Sequence, residues 1–271
     1  LLACGASIAE MNTIRKRLSA VKGGRFAELC RPARVFAVVL SDVVGDRLDV
    51  IASGPACPDA STSAEALAIA KQYGLRLSAQ AWELLRQETP KTLDHVEMKI
   101  TGSVSELCRA AADQAAALGY RPWILTDTMD CQAKEAGAFL ASCARYQRNH
   151  GTEPTALIAG GETVVELTGG GLGGRNQELA LSAAAVLDGT EGVTLLSAGS
   201  DGTDGPTDAA GGIVDGSTAE ALRWAGISIP EILKNNDAYH ALGRCGGLLV
   251  TGPTGTNVND VAVALVRPAG R

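Results

Sequence analysis

The chain has 271 residues and a formal net charge of −6, with 46% hydrophobic and only 4% aromatic residues. The acidic balance argues against general nucleic-acid binding, and no apolar run approaches the roughly 18 residues that a membrane span needs. The seven cysteines are scattered, odd in number and without a C-x-x-C pair, which argues against a disulfide framework or a zinc site. We therefore expect a cytoplasmic protein of one large or two ordinary domains.

The first half of the chain alternates strands with long helices. A capping box, Ser7 with Glu10 three residues on, predicts a helix that ends at 22–24. The run VFAVVLSDV predicts a buried strand over 35–43. Further helices are predicted over 63–73, 78–88, 103–119 and 130–149, and further strands over 95–103 and 121–127. Such alternation predicts an α/β fold with a parallel sheet.

Near residue 150 the pattern changes to short strands and glycine-rich loops. The run from 155 to 167 predicts two strands separated by Gly-Gly-Glu, and a glycine loop then leads to the next helix. The remaining predicted elements are helices over 176–187, 217–225 and 229–242, strands over 193–199, 247–252 and 260–266, and a loop over 200–212. We predict one α/β domain over 1–152 and a smaller α/β domain over 153–271.

The glycine loop contains a G-x-G-x-x-G match at Gly169, Gly171 and Gly174. A dinucleotide fingerprint also needs an acid at the end of the next strand, about 20 residues on. Here the next strand, VTLLSAG, carries no acid before Asp201. The Walker form G-x-x-x-x-G-K-[ST] is absent, which excludes a P-loop. A nicotinamide site, another kind of phosphate site and a loop that binds nothing all remain open.

The composition of the loop favours a phosphate site over a nicotinamide site. Glycines leave backbone N–H groups free to turn toward an anion, and the helix predicted from Asn176 adds its positive end. Arg175, at that end, has a guanidinium suited to bidentate contact with phosphate oxygens. The alternative is a glycine hairpin loop with an exposed arginine.

Acidic residues follow several predicted strands. Asp42, Glu162 and Asp201 each lie just beyond a strand, and the glycine- and threonine-rich segment 251–257 follows another. Ligands bind at the carboxyl ends of strands in open α/β sheets. A carboxylate there can hold Mg²⁺ or accept a proton from a substrate hydroxyl. Together with Arg175, these are the groups that phosphoryl transfer requires.

The motifs GGETVVEL, GGRNQELAL, SAGSDGTDGPTDAAG and TGPTGTNVND resemble signature blocks of the glycerate 2-kinase family, whose C-terminal portion is called the MOFRL domain. The upstream blocks ASIAEMNTIRKRLSAVKGGR and LSDVVGDRLDVIASGP resemble the end of that family's larger N-terminal domain. The resemblance covers essentially the whole chain in the family's order. It implies a partial Rossmann-like parallel-sheet domain followed by a smaller MOFRL-type domain.

The resemblance implies ATP-dependent phosphorylation of the 2-hydroxyl of D-glycerate, giving 2-phosphoglycerate. Five residues then fall on active-site positions: Asp42, Glu162, Arg175, Asp201 and Asn257. Arg175 would stabilise charge on the transferring phosphoryl group, and Asn257 would orient the ligand by hydrogen bonding. Asp42, Glu162 and Asp201 are candidates for the general base or for Mg²⁺, with Asp42 and Asp201 as the metal candidates.

The expected nucleotide-binding residues come from two glycine-containing loops, and they are Gly171, Gly173, Gly174, Arg175, Thr254 and Gly255. The chain also concentrates basic residues in RKRLSAVKGGR, residues 15–25. From this run, Arg15 and Lys16 are the candidates for holding the glycerate carboxylate, the alternative being a solvated helix face. We expect small-molecule and nucleotide partners, no nucleic acid and no membrane, and we leave a homodimer open.

The chain also departs from the family pattern. Members carry an earlier segment with a glycine-rich turn and a catalytic lysine, so we expect a fragment that is weakly active or inactive alone. Arg17 stands where the family has histidine. Because members are often labelled hydroxypyruvate reductase, an NAD(P)H-dependent reductase is one alternative. A nucleotide-binding fragment without activity is the other.

Overall fold

The computed structural model describes residues 1–43 and 45–269, so Val44, Gly270 and Arg271 lie outside the described residues. The chain divides into two compact units, 1–101 and 102–271. The domain boundary predicted after residue 152 stays a prediction. Within the described residues, no helix is both long and apolar enough to cross a membrane.

The described residues of the first unit form four α-helices, two short 3-10 helices and a two-stranded sheet. Its helices are α1 (Ile8–Leu18), α2 (Arg25–Leu29), α3 (Ser63–Gln72) and α4 (Ala79–Arg86), and its strands β1 (Val35–Leu40) and β2 (Val96–Gly102) pair with each other. The predicted capping box is confirmed, since Ser7 and Glu10 bond each other's backbone N–H groups. The helix ends earlier than predicted, because the chain becomes extended at Ser19 (φ −106°, ψ 138°).

The core of the first unit lies where α1, α3 and α4 meet. Ile14, Ala66, Ala70 and Leu85 are buried there, and Trp82 packs against them. Apolar residues at helical spacing on each helix supply this core.

The second unit is built on a six-stranded sheet in the order β3-β4-β8-β5-β6-β7. Its strands are β3 (Arg121–Met129), β4 (Thr155–Gly161), β5 (Val193–Gly199), β6 (Gly211–Asp215), β7 (Leu248–Leu249) and β8 (Asp260–Val266). Its helices are α5 (Val104–Ala117), α6 (Ala133–His150), α7 (Arg175–Leu187), α8 (Thr218–Trp224), α9 (Ile229–Asn235) and α10 (Ala238–Arg244). The predicted α/β class is confirmed.

The strand directions in this sheet are mixed. Strands β3 and β4 are parallel, whereas β8 runs antiparallel to both β4 and β5. The first residue of β8, Asp260, therefore lies opposite Gly161 at the end of β4 and Gly199 at the end of β5. One edge of the sheet collects the ends of two strands and the beginning of a third.

Helix α7 is the central helix of the second unit. Its residues from Asn176 to Ala184 are all buried, which is the pattern of a helix covered on every side. Gly137 of α6 allows a close approach, since a Cβ there would overlap the backbone of Leu179. The start of α7 is consequently held in a fixed place beside the sheet edge.

The second strand predicted in 155–167 does not form. After β4 the chain leaves the sheet, and Glu162 donates its N–H to the carbonyl of Met129. Val164 makes only an isolated parallel bridge with Gln132. Within the described part of the chain, the run TVVEL has no hairpin partner, because β4 already lies between β3 and β8. Its apolar residues line a cavity instead, as described below.

Two other predictions in this unit need correction. Strand β6 lies partly within the segment predicted as a loop, where its glycines permit close pairing with β5. The helix predicted over 229–242 divides into α9 and α10 at Asn236, which adopts a left-handed conformation (φ 55°). A residue with positive φ ends a right-handed helix.

Candidate functional site

Arg175, the first residue of α7, is clamped between two carboxylates at the sheet edge. Its Nε and Nη2 atoms lie 2.5 and 3.1 Å from the two carboxylate oxygens of Asp260. Its Nη1 atom lies 2.8 Å from Oε1 of Glu162. The structure thus brings together two residues that the sequence predicted for the site, and adds Asp260.

The three side chains of this cluster, Arg175, Glu162 and Asp260, differ in how far they are exposed to solvent. The Asp260 side chain is 6% exposed, Arg175 33% and Glu162 46%. Burial raises the pKa of Asp260 above its ordinary value, and the hydrogen bonds from Arg175 only partly offset this. Burial acts to lower the pKa of Arg175, but Asp260 and Glu162 outweigh it and the pKa is raised. The guanidinium therefore stays charged, with one side held by Asp260 and the other turned toward solvent-exposed Glu162.

The N-terminus of α7 is capped by Asp204. The N–H groups of Asn176 and Gln177 donate to the two Asp204 carboxylate oxygens at 3.1 and 2.8 Å. Burial raises the pKa of Asp204 to about 6, against the effect of these hydrogen bonds. Two N–H groups at the positive end of the helix are therefore already used by the protein. A ligand at this end of the helix can therefore bind only the N–H groups that precede Asn176 in the chain.

The glycine loop offers fewer free N–H groups than its composition suggests. The N–H groups from Thr168 to Leu172, including that of Gly171, donate to residues 235–237. Among the described residues, those of Gly173, Gly174 and Arg175 have no acceptor. The expected phosphate cradle is thereby narrowed to these three consecutive N–H groups beside the Arg175 side chain.

A cavity of about 720 Å³ opens next to this loop, a volume typical of small-molecule sites. Its lining includes the glycine loop, Val164, Val165, Leu167, Arg175, Glu178, Asp201, Asp204 and Pro206. Apolar side chains of the TVVEL run form one wall of the cavity, and the acidic loop from Asp201 to Pro206 forms another. Burial raises the pKa of Glu178, which accepts a hydrogen bond from Asn236.

Asp201 contributes a carboxylate to the cavity. Its Oδ1 accepts the N–H of Thr203 at 2.9 Å, and its carbonyl accepts the N–H of Thr254 at 3.1 Å. Thr254, Gly255 and Asn257 lie in this adjoining loop but do not line the cavity. Asn257 is exposed, and its side chain accepts the N–H of Asn259. The loop therefore positions Asp201 through the backbone.

The other predicted site residues belong to the first unit. Asp42 is exposed just beyond β1, and Arg15 is exposed on α1. Lys16 is buried, with its ammonium 3.1 Å from Asp59 and 3.5 Å from Asp49. Of the two basic candidates, only Arg15 presents its charge to solvent, because Lys16 is neutralised inside the unit.

Sequence reasoning missed Asp204 and Asp260 as members of the site. It considered only the carboxyl ends of strands, whereas Asp260 begins a strand that runs the other way. The sequence does show an acid at the start of DVAVALV. This acid indicates a site residue only once β8 is known to run antiparallel to β4. Asp204 was visible in the acidic loop, but its capping of α7 depends on a contact 28 residues back in the chain.

Gly174 gives a direct test of this packing. An alanine methyl there would overlap the Asp204 carboxylate, while the Gly174 backbone (φ −138°, ψ −179°) suits any residue. We expect Gly174→Ala to lower the free energy of unfolding by about 1–3 kcal/mol in a urea titration. Gly170→Ala is the matched control, since a Cβ there meets no atom within 4 Å. Equal losses in both variants would contradict the close approach of Asp204.

Comparison with known proteins identifies the family. Residues 155–260 match the MOFRL family, and residues 1–86 match a domain of unknown function (DUF4147). A D-glycerate 2-kinase of Thermotoga maritima is 57% identical over 269 residues, which cover 98% of this chain and 64% of that protein. A glycerate kinase of Macaca fascicularis is 36% identical, with 99% and 81% covered.

A solved structure shows the same fold. The crystal structure of a glycerate kinase from Thermotoga maritima matches with a TM-score of 0.95 at 56% identity, covering 98% of this chain and 65% of that one. The chain thus spans slightly less than two thirds of the length of these Thermotoga relatives. On these matches, and on the Macaca protein, which it covers over most of its length, the chain belongs to the glycerate kinase family.

Proposed function

We propose that the intact protein is a glycerate 2-kinase, a phosphotransferase that uses ATP to phosphorylate the 2-hydroxyl of D-glycerate. The observation that carries this proposal is the placing of Arg175. It stands at the start of α7, beside three N–H groups that have no acceptor among the described residues and a cavity that Asp201 also lines. The 57% identity to a D-glycerate 2-kinase supports the choice of substrate.

In the proposed reaction, the 2-hydroxyl oxygen of glycerate attacks the γ-phosphorus of ATP. The bond from that phosphorus to the bridging oxygen breaks, ADP leaves with the electron pair, and a carboxylate takes the hydroxyl proton. Positioning and charge stabilisation supply most of the catalysis in such reactions. Arg175 would stabilise the charge on the transferring group, and the N–H groups of Gly173 and Gly174 would bind its oxygens.

Arg175 must change partners to do this. Its Nη1 pairs with exposed Glu162, whereas its Nε and Nη2 face buried Asp260. An exposed ion pair contributes little stability and is exchanged at little cost. We infer that a phosphate displaces Glu162 from Arg175 while Asp260 keeps the guanidinium oriented.

The residues of the site fit a Mg²⁺ ion that is held by only one or two protein carboxylates. In the described residues, no group of three or more His, Cys, Asp or Glu side chains could form a complete protein cage. Mg²⁺ in kinases is held by one or two carboxylates together with substrate phosphates. Asp201, which lines the cavity and has Oδ2 free of partners among the described residues, would supply one such ligand. When bound, the ion would neutralise phosphate charge.

For the first unit, we propose a different set of roles. Asp42 is exposed beyond β1 and is a candidate for the base or for a metal ligand. Arg15, exposed on α1, is the stronger candidate for binding the glycerate carboxylate, because Lys16 is already paired with Asp59.

Cytoplasmic location and a homodimer also stay proposals. Light scattering during size exclusion would decide the oligomeric state.

The deciding experiment measures ATP consumption by the intact protein with D-glycerate. We expect ADP and 2-phosphoglycerate as products, and no turnover with ATP alone. Phosphorus NMR distinguishes 2-phosphoglycerate from 3-phosphoglycerate. Binding of ATP in a calorimeter without turnover would favour the inactive nucleotide-binding alternative. Oxidation of NADH or NADPH by hydroxypyruvate, without ATP turnover, would instead favour the reductase.

The geometry gives the reductase little support. In a dinucleotide-binding turn, the pyrophosphate lies at the N-terminus of the helix that follows the glycines. Here two of the N–H groups at that place donate to Asp204. The loop from 162 to 174 is also far longer than the tight turn that joins strand and helix in that motif.

A further inference from the structure

One short turn holds most of the glycine loop. Five consecutive N–H groups, from Thr168 to Leu172, donate to the turn between α9 and α10, residues 235–237. Thr168 adds a hydroxyl bond of 2.8 Å to the carbonyl of Lys234. We call this segment, residues 234–237, the loop-holding turn. It fixes the conformation of a loop that has no regular secondary structure of its own.

Asn236 is the centre of the loop-holding turn. Its side-chain oxygen accepts the N–H groups of Thr168 and Gly169 at 2.8 and 2.9 Å. Its side-chain nitrogen donates to the carbonyl of Glu166 at 3.1 Å and to Oε2 of Glu178 at 3.2 Å. All four hydrogen bonds that an amide can make are thus formed inside the protein.

Asparagine suits this position for two independent reasons. Only an amide can accept two bonds at one atom and donate two at the other, so aspartate would lose both donors and face Glu178 with a second charge. Asn236 is 8% exposed, and its backbone is left-handed (φ 55°, ψ 39°), a conformation in which asparagine and glycine are the favoured residues.

The glycines of the loop match this turn. A Cβ at Gly169 would overlap the Asn235 backbone, and one at Gly171 would overlap Asp237 and Asn235. At the third glycine of the motif, Gly174, a Cβ would instead overlap Asp204. All three glycines of G-x-G-x-x-G are therefore explained by protein segments that pack against them.

We propose that Asn236 is a positioning residue for the phosphate-binding part of the loop. It connects the loop, through Thr168 and Gly169, to Glu178, which lies one turn beyond Arg175 on α7. Loss of its side chain would release the N–H groups of Thr168 and Gly169 and loosen the loop that leads to Gly173 and Gly174. The consequence for ATP rests on the proposed function, whereas the holding of the loop does not.

The test compares Asn236→Gly with the wild-type protein. Glycine keeps the left-handed backbone, so the variant removes the side chain without adding strain. Asn235→Ala is the matched control, because this exposed side chain accepts, among the described residues, a single bond of 3.3 Å from the N–H of Gly170. Thermal unfolding establishes that both variants are folded.

Hydrogen exchange measured by mass spectrometry gives the first readout. In Asn236→Gly we expect the amides of Thr168 and Gly169, whose acceptor is removed, to exchange at least about tenfold faster, as the loss of roughly 1.4 kcal/mol of local stability would produce. A peptide from α6 should be unchanged, and Asn235→Ala should leave the amides of Thr168 and Gly169 unchanged. Unchanged exchange at Thr168 and Gly169 in Asn236→Gly would overturn the inference.

Calorimetry with ATP and Mg²⁺ gives the second readout. We expect Asn236→Gly to weaken ATP binding by about tenfold or more, with the KM for ATP rising far more than kcat falls. A loop that exchanges faster while ATP affinity stays unchanged would reduce Asn236 to a structural role and overturn its positioning role. If the wild-type protein binds no ATP, the proposed function fails, and the exchange pattern still decides whether Asn236 holds the loop.

Discussion

Replacing Arg175 by alanine in the intact protein is expected to lower kcat for ATP-dependent glycerate phosphorylation by about a thousandfold. Among the residues that the structure describes, Arg175 is the only one with a cationic side chain lining the cavity, so no described neighbour there can take over its charge. The loss should fall on kcat more than on the KM for glycerate, because the charge that Arg175 would stabilise develops in the transition state.

Arg175→Lys separates charge from geometry. Lysine retains a positive charge but not the two-point contact that Nε and Nη2 make with Asp260. We therefore expect an intermediate loss of kcat. If Arg175→Lys keeps the full rate, the orientation by Asp260 has no part in the reaction.

The control for this series is Arg223→Ala. Arg223 makes a similar two-point pair with Asp188, at 2.6 and 3.0 Å, but on the exposed surface around α8. Its loss should leave kcat unchanged, since exposed pairs contribute about 0–1 kcal/mol to stability. Because Arg175→Ala also leaves buried Asp260 without its cationic partner, rates are compared per folded molecule, well below the melting temperature. Wild-type turnover in Arg175→Ala would remove Arg175 from the mechanism.

Local patterns in the sequence predicted much of the fold. The capping box at Ser7, the long helices and the α/β class follow from contacts within a few residues. The direction of β8 does not, because antiparallel pairing with β4 joins residues about a hundred positions apart in the chain. Without that direction, the sequence could not place Asp260 beside Arg175.

The site was predicted in the same uneven way. Glu162 and Arg175 are close in sequence and were expected together, as the structure shows. The glycine loop was expected to offer free N–H groups, but most of them donate to a turn more than 60 residues further on. A sequence shows which residues allow close approach of two segments. It does not show which segment arrives.

Asp59→Asn is expected to cause the largest loss of stability in the first unit, about 3–5 kcal/mol. Asp59 is 1% exposed and lies 3.1 Å from Lys16 and 3.7 Å from Arg17, both of them also buried. Asparagine would keep the size of the side chain but leave two buried cations without this charge. Fluorescence of Trp82, which packs on the core of this unit, reports its unfolding.

Asp94→Asn provides the matched control within the same unit. Asp94 pairs with Arg31 at 2.6 Å, but its side chain is 79% exposed. An exposed pair of this kind contributes about 1 kcal/mol or less, so the control should remain close to wild-type stability. Similar losses in both variants would show that burial of the Asp59 cluster adds nothing to its stability.

The pH dependence gives an independent check on Asp59. Burial acts to raise its pKa, but hydrogen bonds from Thr89, Lys16 and Ser61 outweigh burial, and the pKa is lowered. A carboxyl whose pKa is lower in the folded state stabilises the fold above its unfolded value, about 4, and loses that effect as the pH falls through the folded value. The stability difference between wild type and Asp59→Asn should therefore be largest near neutral pH and shrink in acid. A difference that stays constant from pH 7 to pH 3 would mean that Asp59 acts through packing and hydrogen bonds rather than through its charge.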